Sequence, residues 1–426
     1  MKLTVIGGAS SYTPELIDGI IKRKEELKFD EIVLMDLKEA KNKLKIIKDL
    51  SLRMIKKHNI DVKITTTFDR KKALKSADFI ITQIRVGGLD ARDRDEKIPL
   101  KYNLIGQETT GAGGFANALR TIPVMLDICK DIEKYSKDNA FLINFTNPAG
   151  IITEAVKKHT NVKVIGLCNV PLGMKMNIAK MLSLDPKLIE INYLGLNHLV
   201  YGKNIYYKGK NITKKVIDEL INGGSNTMEN IPDLNWDKNL LKSINMVPCP
   251  YHKYFYMTSE MLKEEKEKLE KSDLTRADEV KKIEKELFDE YQDENLNKKP
   301  ESLEKRGGAY YSDAAIELIN SIYNNKNKVH TVNVYNKGAI SNLEDDVVVE
   351  VNALVNKNGA FPICSNELPE EVSGLVKQVK AYEKLTIQAA VTGDRKKALQ
   401  ALYNNPLVYT FEKANLLLDD ILVQNK

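Results

Sequence analysis

The chain has 426 residues, of which 42% are apolar and 29% are charged, and its formal net charge is +6. This composition is typical of a globular protein, and the length predicts two domains. Apolar runs reach only strand length, and basic residues alternate with acidic ones without interleaved aromatics, so we expect neither a membrane helix nor nucleic-acid binding.

Four cysteines lie far apart along the chain, without the spacing of a zinc finger. The first residues lead directly into a predicted strand, with no apolar signal segment or cleavage site. We therefore expect a cytoplasmic protein whose cysteines are thiols.

Short β-branched runs alternate with longer amphipathic segments in the first 195 residues. The predicted strands are 3–6, 31–35, 63–66, 79–83, 140–145 and 162–167. This alternation predicts an α/β fold with a parallel, doubly wound Rossmann-like sheet, similar to the nucleotide domain of lactate and malate dehydrogenases.

The second half has a different pattern. A charged helical segment spans about 257–290, strand-like segments follow at 330–336 and 347–352, and helices close the chain. We predict a Rossmann-like domain at 1–195 and an α+β domain at 196–426 that carries substrate-binding and catalytic residues.

A glycine- and serine-containing segment follows the first predicted strand. Small residues let the backbone approach a pyrophosphate, whose charge the free N–H groups of the next helix can bind. Thr13 is the expected N-cap of that helix, with Pro14 at its first position. The expected cofactor-binding residues in this segment are Gly7, Gly8, Ser10, Ser11 and Tyr12.

Asp36 follows the second predicted strand. A carboxylate at this point can accept hydrogen bonds from a ribose diol and repels a 2′-phosphate, which favours NAD over NADP. Ala9 stands where the usual fingerprint has its second glycine, and glycine-rich turns after strands also occur without a ligand. Asp36 and the strand–helix alternation together favour NAD binding.

Several longer motifs follow in a specific order. They are QIRVGGLDARDRDE (83–96), IGQETTGAGG (105–114), NFTNPAG (144–150), GLCNVP (166–171), GLNH (195–198), VPCPYHKY (247–254) and RGGAYY (306–311). In this order and spacing the set closely resembles glycoside hydrolase family 4, from residue 1 past residue 311.

The resemblance implies hydrolysis of 6-phospho-β-glucosides by oxidation and elimination, in place of the usual two-carboxylate mechanism. NAD⁺ takes hydride from C3 of the sugar, and the resulting ketone acidifies the C2 proton, which a base removes. The glycosidic oxygen then leaves, water adds, and NADH returns the hydride, so the cofactor is regenerated. Relatives acting on α-glucosides have an aspartate where this chain has Asn169, so a β preference is implied.

The resemblance also implies a divalent metal, for which Mn²⁺ is expected, held by Cys168 and His198. The metal would act as a Lewis acid toward the enediolate, and sugar oxygens or water would complete its shell. Without the resemblance, these residues would be interpreted as a small core thiol and a buried histidine with its hydrogen bonds satisfied.

Tyr251 matches the residue that removes the C2 proton in this family. An aromatic packing cluster is the alternative interpretation, and Tyr254, three residues later, is the next candidate for the base. Because the ordinary pKa of tyrosine is near 10, the role requires a nearby cation that lowers this pKa.

Arg92, Arg276 and Asn147 match substrate-contacting residues of the family. A guanidinium can bind a sugar 6-phosphate through two hydrogen bonds, although either arginine could instead form an interdomain or surface salt bridge. Asn147 offers an amide to adjacent hydroxyls, and it also suits an Asn-Pro turn. Glu108 is a weaker candidate for contact with the sugar or its leaving group.

The expected partner is a phosphorylated disaccharide or aryl glucoside, and the family implies a homodimer or homotetramer. Two other functions remain possible from the sequence. An NAD-dependent sugar-phosphate dehydrogenase of the lactate/malate type would produce net NADH. An NAD-sensing regulatory protein would need no metal pair, yet Cys168 and His198 are both present.

Overall fold

The computed structural model describes residues 1–228, 230–272, 274–307 and 310–424, with the backbone alone at 272 and 311–313. Residues 308 and 309 of the RGGAYY motif lie outside the described residues. No helix in the described part of the chain is both long and apolar enough to span a bilayer.

The first half forms the parallel part of the main sheet. Its strands are β1 (Lys2–Ile6), β2 (Glu31–Met35), β3 (Lys63–Thr67), β4 (Phe79–Thr82), β5 (Phe141–Asn144) and β6 (Lys163–Gly166). They pair in the order β3-β2-β1-β4-β5-β6, and each pair is parallel. This is the Rossmann order, so the predicted fold class is confirmed.

Helices connect these strands. They are α1 (Thr13–Lys22), α2 (Lys41–Lys57), α3 (Arg70–Leu74), α4 (Gly88–Lys101), α5 (Gly111–Tyr135), α6 (Ala149–His159) and α7 (Val170–Met181), with short 3-10 turns at Lys38–Ala40 and Pro186–Leu188. Central strands buried on both faces explain the continuous apolar runs, as in β4 and the fully buried Ile80 and Ile81.

A smaller antiparallel sheet follows. Its strands are β7 (Ile189–Leu196), β8 (Leu199–Tyr207), β9 (Lys210–Asn211) and β10 (Val247–Pro248). A two-residue turn, Asn197-His198, joins β7 to β8, and His198 has a φ of +60°. Tight hairpin turns of this kind use positive φ values because these fit the twist of the flanking strands.

The remaining strands are β11 (Lys328–Tyr335), β12 (Val348–Asn356) and β13 (Gly359–Pro362). They extend the main sheet beyond β6 in antiparallel pairing, with Asn333 of β11 opposite Gly166 of β6. Asn352 joins the two sheets, since its side chain donates to Ile191 O at 2.9 Å and accepts from Tyr193 N at 3.1 Å. Strands from the second half of the chain therefore complete the first sheet.

The later helices are α8 (Thr213–Ile221), α9 (Lys238–Ile244), α10 (His252–Tyr256), α11 (Thr258–Ser272), α12 (Arg276–Tyr291), α13 (Tyr311–Tyr323), α14 (Glu370–Thr392), α15 (Arg395–Asn404) and α16 (Phe411–Gln424), with a 3-10 turn at Glu301–Arg306. One apolar core lies around the main sheet, and a second lies around β7, β8 and helices α7 to α11. The domain division at residue 195 stays a prediction.

Helix α1 begins one residue earlier than expected. Its N-cap is Tyr12, so the expectation that Thr13 would be the N-cap is wrong. The Thr13 hydroxyl donates to Gly8 O at 3.0 Å instead of accepting from an N–H of the first turn. That bond ties the helix start to the glycine loop. Pro14 lies in the first turn, where its missing N–H costs nothing.

Candidate active site

The glycine loop lies at the point where the strand order of the main sheet reverses, between β1 and β4. In open α/β sheets, ligands bind at the carboxyl ends of the strands at this point. Gln83, which follows β4, donates to Gly7 O at 3.1 Å and to the Thr13 hydroxyl at 2.9 Å. The loop after β1 is thus fixed to the end of β4.

Two glycines in this loop cannot be replaced without displacing backbone. Gly7 has a φ of +89°, and a Cβ there would lie 2.7 Å from Gln83 O. A Cβ on Gly8 would lie 2.8 Å from the Cβ of Leu34. The N–H groups of both glycines donate to Met35 O at 3.0 and 2.9 Å. The loop therefore packs tightly over the end of β2 and leads straight into α1.

Asp36 holds the same loop from the other side. Its Oδ2 accepts from Ala9 N at 2.8 Å and its Oδ1 from Leu37 N at 2.8 Å. Its carboxylate is only partly buried. Ala9, which stands where the usual fingerprint has its second glycine, thus contributes its N–H to hold Asp36 in place.

The other expected cofactor residues line the start of α1. Ser10 accepts from Tyr12 N at 3.3 Å through its hydroxyl. Ser11 is buried, and its Oγ has no hydrogen-bond partner among the described atoms. The Tyr12 ring lies beneath the Arg306 guanidinium, 5.1 Å from its carbon, and its hydroxyl donates to Arg306 O. The structure brings all six expected cofactor residues to one loop region.

Cys168 and His198 lie on different elements and are connected through neighbouring residues. Cys168 lies between β6 and α7, and His198 lies in the β7–β8 turn. Burial raises the pKa of the Cys168 thiol, and the side chain of Asn197, which precedes His198, partly offsets this effect. His198 is buried, and its Nδ1 has no partner among the described atoms. Burial lowers the pKa of His198 to about 4, so its imidazole is neutral at pH 7, the form that binds metals.

Tyr251 completes this group. Its ring stacks on the His198 ring, with centroids 3.9 Å apart and planes within 2°. Its hydroxyl accepts from Asn230 Nδ2 at 2.9 Å. Burial raises the pKa of Tyr251, and the neighbouring Cys168 raises it further, so the phenol is protonated here. Tyr254 lies in α10 with its ring centroid 6.1 Å away, so part of the predicted aromatic cluster exists as well.

A buried charge cluster adjoins the glycine loop. Glu108 pairs with Arg85 and, at 3.0 Å, with Arg92 Nη1, while Arg92 Nε donates to Glu96 at 2.7 Å. Burial alone would raise the pKa of Glu108, but the charges of Arg85, Arg92 and Arg306 hold it at about 2. Arg92 is thus already paired with two carboxylates, as expected if this arginine forms a salt bridge.

Arg92 and Arg276 both line one cavity of about 190 Å³. Arg276, the first residue of α12, binds Glu279 at 3.0 Å and keeps a side-chain exposure of 21%. Asn230 also lines this cavity and bonds Tyr251, so the cavity adjoins the candidate base.

Asn147 is placed differently from the two arginines. It precedes Pro148, which lines a second, smaller cavity together with His198 and Thr109. Its side-chain oxygen accepts from Ala149 N at 3.3 Å, as expected for an Asn-Pro turn. The three expected substrate residues therefore do not share the lining of one cavity, and their substrate roles stay predictions.

Sequence reasoning missed several residues of this region. Asn230 hydrogen-bonds the Tyr251 hydroxyl, and Gln107 accepts from the N–H groups of Thr109 and Thr110 at 2.6 and 2.8 Å. Glu350, in β12, is fully buried. A carboxylate inside the apolar strand run VVEV is a signal that could have drawn attention to it.

Comparisons with known proteins agree on one family. A family model described as family 4 glycosyl hydrolase matches residues 2–184, and one described as the family 4 glycosyl hydrolase C-terminal domain matches 193–408. A probable 6-phospho-beta-glucosidase of Bacillus subtilis (strain 168) is 49% identical over 100% of this chain and 96% of its own length.

Solved structures give the same result. The 6-phospho-beta glucosidase of Thermotoga maritima, solved with manganese, NAD⁺ and glucose-6-phosphate, matches with a TM-score of 0.90 and 39% identity, over 100% of this chain and 98% of that one. Malate dehydrogenase of Plasmodium falciparum matches with a TM-score of 0.55 and 15% identity, over 92% of this chain and 98% of that one, which is a likeness of fold alone.

Proposed function

Because the chain belongs to glycosyl hydrolase family 4, we propose that it hydrolyses 6-phospho-β-glucosides to glucose 6-phosphate with the help of NAD⁺ and a divalent metal. One observation carries the proposal most strongly. A neutral buried histidine stacks on a tyrosine beside a cysteine, in a chain that also has a glycine loop at the switch point of its Rossmann sheet. A protein that only sensed NAD would not need such a group.

The glycine loop fits NAD⁺. Gly7 and Gly8 leave the backbone without side chains, and the N-terminus of α1 offers its partial positive charge to a pyrophosphate. Asp36 is anchored where it can accept from a ribose diol. Ser10, Ser11 and Tyr12 would surround the phosphates; the unpartnered Ser11 hydroxyl has a free hydrogen-bonding capacity there.

Cys168 and His198 fit a divalent metal such as Mn²⁺. The unpartnered Nδ1 of His198 and its neutral imidazole leave the ring able to ligate, and Cys168 supplies a sulfur. When bound, NAD⁺ accepts hydride from the sugar and the metal polarises the sugar oxygens as a Lewis acid. Cys168 and His198 would hold that charge in the site.

Tyr251 takes the C2 proton in this proposal. Its hydroxyl adjoins the cavity that Arg92 and Arg276 line, through its bond to Asn230. Positive charge held close by Cys168 and His198 would lower its raised pKa toward the range of a working base. Arg276, with its partly exposed guanidinium, would bind the 6-phosphate, and Asn147 would bind sugar hydroxyls.

A panel of nitrophenyl glycosides tests the proposed function. We expect nitrophenol release from the 6-phospho-β-glucoside only when NAD⁺ and Mn²⁺ are both present. The 6-phospho-α-glucoside and the non-phosphorylated β-glucoside should react much more slowly. Accumulation of NADH in proportion to substrate would instead identify a sugar-phosphate dehydrogenase, and turnover without either addition would contradict the proposal.

Replacing Arg276 with alanine should reduce selection for the phosphate. Loss of a charge-assisted contact costs about 2–4 kcal/mol, so kcat/KM for the 6-phospho-β-glucoside should fall by about 30- to 1000-fold. The rate on the non-phosphorylated glucoside should change little. Arg395→Ala is a matched control, because it removes the same charge from a surface pair with Asp419. Equal losses on both substrates would make Arg276 a structural residue.

Three further features belong to the proposal. The nucleotide-binding part spans 1–195, and the part carrying Tyr251 and Arg276 spans 196–426.

The natural substrate is a phosphorylated disaccharide or aryl glucoside, hydrolysed in the cytoplasm. The working assembly is a homodimer or homotetramer, which sedimentation or light scattering would measure.

A further inference from the structure

Glu350 is a carboxylate in an apolar strand. It lies in β12 between Val349 and Val351, and all three residues are fully buried. Its Oε1 accepts from Asn333 Nδ2 at 2.8 Å and from Asn197 Nδ2 at 3.3 Å. Its Oε2 has no partner among the described atoms. A buried oxygen without a partner lowers stability, so folding alone does not explain the residue.

Asn197 links Glu350 to the proposed metal ligands. Its Oδ1 accepts from Gly150 N at 3.3 Å, which fixes the orientation of the amide because a backbone N–H can only donate. One N–H of the amide then donates to Glu350, and the same amide lowers the pKa of the Cys168 thiol against the larger effect of burial. His198 follows Asn197 directly in the β7–β8 turn.

Gly150 lets the backbone of α6 come close to Asn197 because it has no side chain. A Cβ on Gly150, at the start of α6, would lie 2.9 Å from the Cβ of Asn197. Any larger residue there would push Asn197 away from α6 and from the Gly150 N–H donor that fixes its amide. The close approach of three separate elements, α6, the β7–β8 turn and β12, is therefore built into the chain.

We propose that Glu350 and Asn197 are positioning residues of the metal site, with Glu350 orienting the Asn197 amide and that amide orienting the Cys168 sulfur toward the metal. The inference rests on the proposed ligand pair, Cys168 and His198. Carboxylates that orient metal ligands through a hydrogen bond are general, and their loss weakens metal binding by about 10- to 100-fold. Neither residue touches the substrate in this proposal.

The test uses the full-length protein with Mn²⁺ and with Co²⁺ as probes. Glu350→Gln keeps the size of the side chain but removes its charge, and Asn197→Ala removes the link. Each should weaken Mn²⁺ binding by about 10- to 100-fold in competition with a chelator. Each should also shift the thiolate-to-Co²⁺ charge-transfer absorption, because the hydrogen bonding of the sulfur changes. NAD⁺ binding should be unchanged.

The double variant Glu350→Gln/Asn197→Ala separates a linked role from two independent roles. If Glu350 acts through Asn197, the double variant should lose no more affinity than Asn197→Ala alone. Additive losses would overturn the link. If Glu350→Gln does not fold, wild-type Mn²⁺ affinity in Asn197→Ala would by itself overturn the proposal.

Glu154→Gln is the matched control. Glu154 is also a fully buried glutamate and bonds Lys380 at 2.8 Å and Val348 N of β12 at 2.8 Å, without a bond to Asn197. Glu154→Gln should lower the stability of the protein and leave its Mn²⁺ affinity and Co²⁺ absorption unchanged. Wild-type metal binding in Cys168→Ser would refute the ligand pair itself. Loss of metal in Cys168→Ser with full retention in Glu350→Gln and Asn197→Ala would refute only the positioning role.

Discussion

Cys168→Ser and His198→Ala should each abolish retention of divalent metal and, with it, hydrolysis of 6-phospho-β-glucosides. Each variant removes one of the two proposed protein ligands, and a hydroxyl or a methyl group cannot replace a thiolate or an imidazole. Lewis-acid stabilisation is worth several kcal/mol, so kcat should fall by on the order of 10³-fold or more. Elemental analysis after gel filtration and initial rates measure the two effects.

The control for this experiment is Cys129→Ser. Cys129 is a fully buried thiol in α5, so its replacement perturbs packing by a similar amount without touching the site. NAD⁺ affinity should stay near the wild-type value in all three variants, because the glycine loop is unchanged. Wild-type metal content in either ligand variant would show that the pair is misassigned.

Tyr251→Phe should lower kcat by about 10²- to 10⁴-fold, the usual contribution of a general base. The phenylalanine ring can still stack on His198, so metal content should not change. Rates with substrate deuterated at C2 provide a second measurement, since the wild-type protein should show a primary isotope effect. Together these results would separate proton removal from metal binding.

Tyr254→Phe is the matched variant for the base. Tyr254 is buried beside Tyr251 and lines the cavity that Arg92 and Arg276 share. It should lower kcat far less than Tyr251→Phe does. An undiminished rate in Tyr251→Phe, combined with a large loss in Tyr254→Phe, would assign the base to Tyr254.

Local patterns were sufficient for the Rossmann sheet. The predicted strand at 31–35 matches β2 residue for residue. A short β-branched, apolar run between polar segments strongly favours a buried strand. The N-cap of α1 was misplaced by one residue, because Thr13 uses its hydroxyl for Gly8 O. The choice of cap depended on a tertiary contact that the sequence does not display.

Pairings between distant segments could not be predicted. β11 was expected as a strand, but its place beside β6 depends on a contact between Asn333 and Gly166, far apart in the chain. The pairing of Arg92 with Glu108, which lies outside α4, could not be predicted either, whereas Glu96 lies one helical turn from Arg92. The sequence was compatible with two roles for Arg92, a salt bridge and phosphate binding. Its contacts are those of a salt bridge, and it also lines the cavity.

The site was predicted through motifs rather than through local physics. Cys168 and His198 carry no periodicity or spacing that distinguishes a ligand from a core residue, so the resemblance to a family was the only signal. Glu350 lies outside those motifs, and the GLNH motif suggested no role for Asn197, because their connection depends on the meeting of β12 with the β7–β8 turn. Residues that act through others in three dimensions are the ones that sequence reasoning misses.

Hydrolysis in D₂O tests the central claim most directly. If the reaction proceeds by oxidation at C3, removal of the C2 proton and elimination, solvent hydrogen must enter at C2 when water adds back. Glucose 6-phosphate formed in D₂O with NAD⁺ and Mn²⁺ should therefore carry deuterium at C2, as read by NMR or mass spectrometry. Product that keeps its original hydrogen at C2 would contradict the account.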